Sequence, residues 1–200
     1  DQSEKIMVNI NNVRFDLIFG AFLAVIIVFL FLRNVTATFV SALAIPTSVI
    51  GTFAIINYLG YDLNRLTLIG LTLAIGIFID DAIVVIENIM KKMESGMEPF
   101  RASFEGAKEV SFSVLAISSV LLAVFIPVAF MDGIVGMFFN SFAMTVASGI
   151  VISYFVAIMF IPSIGARVLS TKQSRFYHAT EPILSAIDKS YTWLLKPLLR

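Results

Sequence analysis

Long apolar segments separated by short polar interruptions make up most of the chain. The first apolar run extends from Phe15 to Leu32 and the second from Val35 to Leu59, parted by the polar turn Arg33-Asn34. A third covers Leu63 to Met90, a fourth Ser111 to Met131 and a fifth Phe138 to Leu169. Each supplies the ~20 residues that cross ~30 Å of hydrocarbon at about 1.5 Å per residue, and several have length left over for tilt. The pattern predicts an all-α, polytopic membrane helical bundle with five transmembrane helices spanning residues 15–169. So many apolar runs leave too little polar surface for a water-soluble bundle.

The interruptions carry their own signals. Glu98-Pro99 marks a helix start, and Phe100, Phe104 and Ala107 repeat at helical spacing ahead of the fourth span. Residues 170–200 read as an interfacial connecting helix that does not cross. Thr180-Glu181-Pro182 would start it, and Ile183, Ile187, Tyr191, Leu194, Leu195 and Leu198 form its apolar stripe, with Trp193 near the headgroups. His178 is expected to be a solvated residue of this tail. Pro46, Pro127 and Pro162 each free a backbone carbonyl inside a span and predict kinks or packing irregularities. Gly70 and Ala74 share one face of the third span, and Gly149 has Ser148 and Ile152 beside it on the fifth, so helices can approach closely there.

Composition supports the membrane assignment: 58% of residues are hydrophobic, only 14% are charged, and mean hydropathy is +0.94. Soluble domains usually carry about a quarter charged residues. Basic and acidic residues balance, so charge gives no indication of a nucleic-acid partner, and the absence of Cys excludes disulfides and thiolate metal sites. No signal-peptide pattern is visible, and the first and last residues suggest a piece of a longer protein. Arg33, Lys91, Lys92, Arg101, Lys108, Arg167 and the five basic residues of the tail all fall on one side of the predicted spans, against Lys5, Arg14 and Arg65 on the other. The positive-inside rule makes the first side cytoplasmic and places residues 1–14 outside.

Within this pattern one feature is energetically out of place. Asp80 and Asp81 interrupt the run LTLIGLTLAIGIFIDDAIVVIENIM from Leu66 to Met90. An acid at the centre of a membrane helix costs about 2.5–3.5 kcal/mol, whereas each Leu, Ile, Val or Phe returns only about 0.3–0.6 kcal/mol. The fourteen such residues of this window therefore barely offset the pair. Intramembrane acids are candidates for a proton or ion pathway. On a helix the two side chains diverge by about 100°. Asp80 then shares a face with Gly76 and Glu87, and Asp81 with Asn88 and roughly with Thr72 and Ala74, giving a polar strip that descends toward the cytoplasmic end. Two adjacent carboxylates at low dielectric titrate as a coupled pair. No Lys or Arg lies inside any predicted span, so a counter-cation is expected from a part of the protein outside these residues. Hydroxyls on the later spans, such as Ser118, Ser119, Thr145 and Ser148, can donate hydrogen bonds but carry no charge.

The string GLTLAIGIFIDDAIVVIENI from Gly70 to Ile89 resembles the fourth membrane helix of resistance-nodulation-division exporters, in the hydrophobic and amphiphilic multidrug-efflux branch. FLFLRN, ALAIPTSVIGTFA, LGYDLNRLTL and AVFIPVAFMDGIVG follow in the family's order, over residues 1–169. The tail matches only in character. The resemblance implies a bacterial inner-membrane, proton-driven antiporter, homotrimeric, with twelve membrane helices and joined to a periplasmic adaptor and an outer-membrane channel. It also implies that residues 1–14 end a periplasmic porter region, that residues 15–169 are the second to sixth helices, and that Asp80 and Asp81 are proton-relay acids. Their implied partners, a lysine, an arginine and a threonine, belong to a second half. No cofactor or resident metal is implied, and no enzymatic activity. Ile161-Pro162 stands where the family more often has threonine before proline, and Ile79 where valine is frequent; neither touches the acids.

Two other classes fit less well. The heavy-metal branch of the same superfamily typically has Ala after a single Asp, where this chain has Asp81. An intramembrane aspartyl protease needs acids that face each other from different helices, whereas these are neighbours on one. A structural scaffold remains the alternative for the piece in isolation.

Overall fold

In the computed structural model, the backbone is described for residues 2–170 and the side chains for Phe15 and residues 18–170. The expected connecting helix of the tail, with His178 and Trp193, lies outside the described residues. Among the described residues, seven α-helices follow one another: α1 (Gln2–Leu32), α2 (Val35–Ala42), α3 (Ala44–Tyr58), α4 (Arg65–Glu94), α5 (Pro99–Ala129), α6 (Gly133–Phe155) and α7 (Ile161–Val168), with a π-helical segment, Val156–Phe160, joining the last two.

Local chemistry sets the boundaries. Asn34 accepts hydrogen bonds from the Thr36 and Ala37 amides and so starts α2. Asn64 does the same for Leu66 and Thr67 at the start of α4, and the Thr67 hydroxyl accepts from the Asn64 amide, a reciprocal capping box. α5 opens on Pro99, whose missing N–H costs nothing in a first turn. Gly96, at φ 94°, lets the chain leave α4 in the left-handed region.

Prolines account for the interruptions. α2 and α3 would be one helix but for a break at Leu43, three residues before Pro46. The Pro46 ring cannot donate to the Ala42 carbonyl and collides with it. Pro162 follows the π-helical segment, in which the Ile161 amide bonds back five residues to the Val156 carbonyl.

Among the described residues, four helical stretches are long and apolar enough to cross a membrane: Val35–Tyr58, Arg65–Glu94, Pro99–Ala129 and Gly133–Val168. The first expected span, Phe15–Leu32, contains a shorter apolar segment, Ile18–Leu32, inside the continuous helix α1. The connection before the fourth span is helical, as the sequence predicts, and continuous with that span: α5 runs unbroken for 31 residues and includes Pro127 near its end. At about 1.5 Å per residue it exceeds the hydrocarbon thickness, so Arg101, Glu105, Lys108 and Glu109 fall on the surplus first turns.

α4 is the central helix and touches all the others. Its interior residues form two clusters. One unites Leu71, Ala74, Ile75, Phe78 and Ile79 with Val28 of α1 and Ile45 of α3. The other unites Ala82, Val85, Ile86, Ile89 and Met93 with Ala37 and Val40 of α2, Ala102 and Ala107 of α5, and Ile161 of α7. Outward faces are apolar too. Phe22, Phe31, Phe112 and Val120 all stand exposed, as expected where lipid rather than water surrounds the bundle. The Asn34 side chain donates to the Ser170 carbonyl at 2.9 Å, joining the start of α2 to the end of α7. Arg33, Lys91, Lys92, Arg101 and Arg167 are thereby gathered at one end, and Arg65 lies at the other.

Small residues set the helix separations, as the sequence predicts at Gly70, Ala74 and Gly149. A Cβ added to Gly70 would stand 3.0 Å from the Phe142 carbonyl, and one on Gly149 would meet the Phe78 ring at 2.9 Å and the Ala74 methyl at 3.3 Å. The same holds at Gly106 of α5, where a Cβ would lie 3.0 Å from the Ile89 Cα. Backbone cannot yield as a side-chain tip can. Gly106→Ala is therefore expected to lower the thermal stability of the detergent-solubilised protein by about 1–3 kcal/mol, the usual cost of overpacking. Gly20→Ala, which meets nothing within 4 Å, should leave the melting curve unchanged or raise it.

Candidate functional site

Asp80 and Asp81 occupy the middle of α4, and the helix sends them into opposite environments. Asp81 is 3% exposed and lies where one hydrophobic cluster ends and the other begins. Its Oδ2 accepts a hydrogen bond of 2.7 Å from the Ser153 hydroxyl of α6, itself buried. α4 and α6 run parallel here. Gly70 meets Phe142, Ala74 and Phe78 meet Gly149, and one turn further Asp81 meets Ser153. The close approach that the glycines permit is what brings the serine within reach of the acid.

Asp80 is exposed. It belongs to a stripe of α4 that no described element covers, running from Ile69 and Leu73 through Gly76 to Glu87 and Lys91. The expected shared face of Gly76, Asp80 and Glu87 is therefore present. Among the described residues neither aspartate has a basic partner. The ion pairs found there are Lys92–Glu109, at 2.6 Å, and Arg101–Glu105, at 3.3 Å, both near the end of the bundle. Asn88 is half-buried and tied to α5: its Nδ2 donates to the Gly106 carbonyl at 2.9 Å and to Glu109 Oε2 at 3.3 Å. The amide thus clamps α4 to α5 where the Gly106 contact brings their backbones together.

The hydroxyls expected to serve the acids do other things. Ser119 donates to the Leu115 carbonyl and Thr145 to the Ser141 carbonyl, each back onto its own helix. Ser118 is buried with no hydrogen-bond partner among the described residues, and Ser148 is buried on α6. Ser153 takes their place. Sequence reasoning stopped at Ser148, but stepping four residues at a time from Thr145 through Gly149 along the close-contact face reaches Ser153 one turn later. No group of three or more His, Cys, Asp or Glu side chains that could hold a metal ion occurs among the described residues.

Paired intramembrane acids, a serine donor and an uncovered polar stripe on a central helix fit a membrane transporter. From residue 1 to residue 200 the chain matches the AcrB/AcrD/AcrF family. It belongs to that family. AcrB/AcrD/AcrF-family proteins are membrane transporters of the resistance-nodulation-division superfamily and not enzymes. The divergent placement of the two acids in this transporter chain agrees with that, since a hydrolytic dyad would need both carboxyl groups turned toward one substrate.

Asn88→Ala removes two hydrogen bonds between α4 and α5 and is expected to cost about 1–3 kcal/mol of stability, read as a lower melting temperature of the purified full-length transporter. Ser153→Ala takes from Asp81 its described donor. A hydrogen bond to a charged group contributes about 1.5–3 kcal/mol. Infrared difference spectra of the carboxyl region should shift in Ser153→Ala and return toward the parent position in Ser153→Thr; identical spectra in all three proteins would contradict the pairing.

Proposed function

We propose that this chain forms the second to sixth transmembrane helices of a proton-driven antiporter that exports hydrophobic or amphiphilic compounds, with Asp80 and Asp81 as its proton-relay acids. The observation that carries this proposal is the splitting of an adjacent acid pair between two environments in the middle of a membrane helix. Asp81 faces inward on Ser153, while Asp80 faces outward on an uncovered stripe. A carboxylate standing in lipid would cost several kcal/mol, so the stripe is best accounted for if it faces another part of the transporter that supplies a cation or a water-filled path.

The chemistry follows from what each group can hold. An ionised Asp81 accepts from the Ser153 hydroxyl. Once protonated it can donate, and the same hydroxyl can turn to accept, so Ser153 serves both states without a change of backbone. Asp80, at the uncovered face, is the member that exchanges protons with whatever lies across from α4. Glu87 continues that face toward the basic end, while Asn88 anchors α4 on α5. A proton crossing with the membrane potential releases about 2.3 kcal/mol per 100 mV, which is available to drive helix movement and uphill export.

In this proposal α1 crosses the membrane as a fifth span through Ile18–Leu32, residues 1–14 end a periplasmic porter region, and residues 170–200 form a connecting helix on the cytoplasmic face. The basic end of the bundle is cytoplasmic, in the inner membrane of a bacterium. The complete transporter has twelve helices, assembles as a homotrimer and works with a periplasmic adaptor and an outer-membrane channel. The second half, beyond these residues, supplies the lysine that answers the acids.

The test uses the full-length transporter. Asp80→Asn and Asp81→Asn are each expected to abolish export coupled to a proton gradient while leaving assembly and membrane insertion intact. Reconstituted vesicles with a dye-reported pH gradient supply the measurement. Export at the parent rate in both variants would remove the relay assignment.

A further inference from the structure

At the basic end of the bundle, α5 and α7 leave between them a cleft of about 320 Å³. Its walls are Phe100, Ser103 and Phe104 on α5 and Pro162, Ser163, Ala166 and Arg167 on α7. Nothing in the acid pair or its surroundings uses these residues. Three features of the cleft select an anion. Arg167 lies in the last turn of α7 and forms no ion pair with any carboxylate among the described residues. The first turn of α5 opens on Pro99 without a side-chain cap, so the amides of Phe100 and Arg101 lack a side-chain partner and the positive end of the helix dipole lies at this end of the bundle. The Ser103 hydroxyl, 2% exposed, has no hydrogen-bond partner among the described residues. The nearby Glu105 carboxylate is already engaged by Arg101.

Apart from Ser163, whose hydroxyl donates back to the Met159 carbonyl, the remaining walls are apolar, and that decides what kind of anion fits. Phe100 and Phe104 lie one turn apart and are 70% and 67% exposed, and Pro162 and Ala166 face them across the cleft. A small inorganic anion would gain nothing from two aromatic rings. An amphiphile with an anionic head would use the whole lining, and the cleft lies where the spans leave the hydrocarbon. We propose that this cleft is a binding site for an anionic phospholipid of the surrounding membrane. The phosphate is held by Arg167 and the uncapped first turn of α5, the buried Ser103 hydroxyl donates to a headgroup oxygen, and an acyl chain lies along Phe100 and Phe104.

The experiment takes the full-length transporter reconstituted in nanodiscs that contain a photoreactive phosphatidylglycerol, with labelled peptides mapped after digestion. Label is expected on residues 100–104 and 162–167. It should be competed by unlabelled phosphatidylglycerol and not by phosphatidylcholine, a comparison that needs no variant. Arg167→Gln should reduce the label about fivefold, the factor expected for one basic side chain at an anionic lipid surface, and Arg167→Lys should retain it. Equal competition by phosphatidylcholine would overturn the proposal, as would undiminished label in Arg167→Gln. Displacement by inorganic phosphate would show a small-anion site instead. A cross-link from the cleft to residues 183–198 would show that the chain's own tail fills it.

Discussion

A carboxylate buried in the middle of an apolar bundle needs a hydrogen-bond donor, and the arrangement of α4 and α6 follows from supplying one. The Ser153 hydroxyl reaches Asp81 only because the two helices run parallel at close range, and that range is set by Gly70 and Gly149, where a methyl group would collide with the opposite helix. α4 must also be central, since only a helix touched by all its neighbours can hide an acid from lipid. The two hydrophobic clusters on either side of Asp81 are then the apolar walls of a polar seam. Removing the seam would merge them into an ordinary core; keeping it leaves a hydrogen-bonded carboxyl group between them.

Asp80 shows the other half of the constraint. One residue along the helix is about a third of a turn around it, so two adjacent acids cannot share an interior. The chain buries one and turns the second toward a stripe that its own helices leave open. Toward the basic end that division of labour is repeated with different chemistry: Glu87 continues the open stripe, while Asn88 reaches α5 and, with the Lys92–Glu109 pair, locks the two helices together. Loosely held helices would let the seam drift. The clamp at Asn88 and the backbone contact at Gly106 hold α5 against α4 two turns below the acids.

Much of this was legible before any coordinates. Hydropathy located the long spans, because uninterrupted apolar runs have few alternatives in lipid. The face shared by Gly76, Asp80 and Glu87 and the close approaches at Gly70, Ala74 and Gly149 followed from helical spacing alone. The donor to Asp81 was not legible, since serines along α5 and α6 look alike in one dimension and only the relative depth of two helices selects Ser153. The helix start at Pro99 was legible, but not that it continues without a break into the fourth span. Its charged first turns resemble a connector, yet none of those residues breaks a helix, and polarity marks where a helix leaves the membrane rather than where it ends. Pro46 was read correctly as a disturbance, although its effect falls at Leu43, upstream of the ring, as the lost bond to the preceding turn requires.

The π-helical segment between α6 and α7 has a further geometric role. Gly149, Ser153, Ala157, Ile161, Gly165 and Leu169 are all buried, one every fourth residue. In a straight α-helix each four-residue step overshoots a full turn by about 40°, and over this distance the row would wind to the opposite side. The wider turn at Val156–Phe160 takes up one extra residue, about 100° of rotation, and brings the row back toward the interior. It acts as a phase corrector. The inward face that carries Ser153 toward Asp81 stays in register with the face that carries Ile161 and Gly165 into the packing against α5, so the seam and the basic end are read from a single edge of one helix.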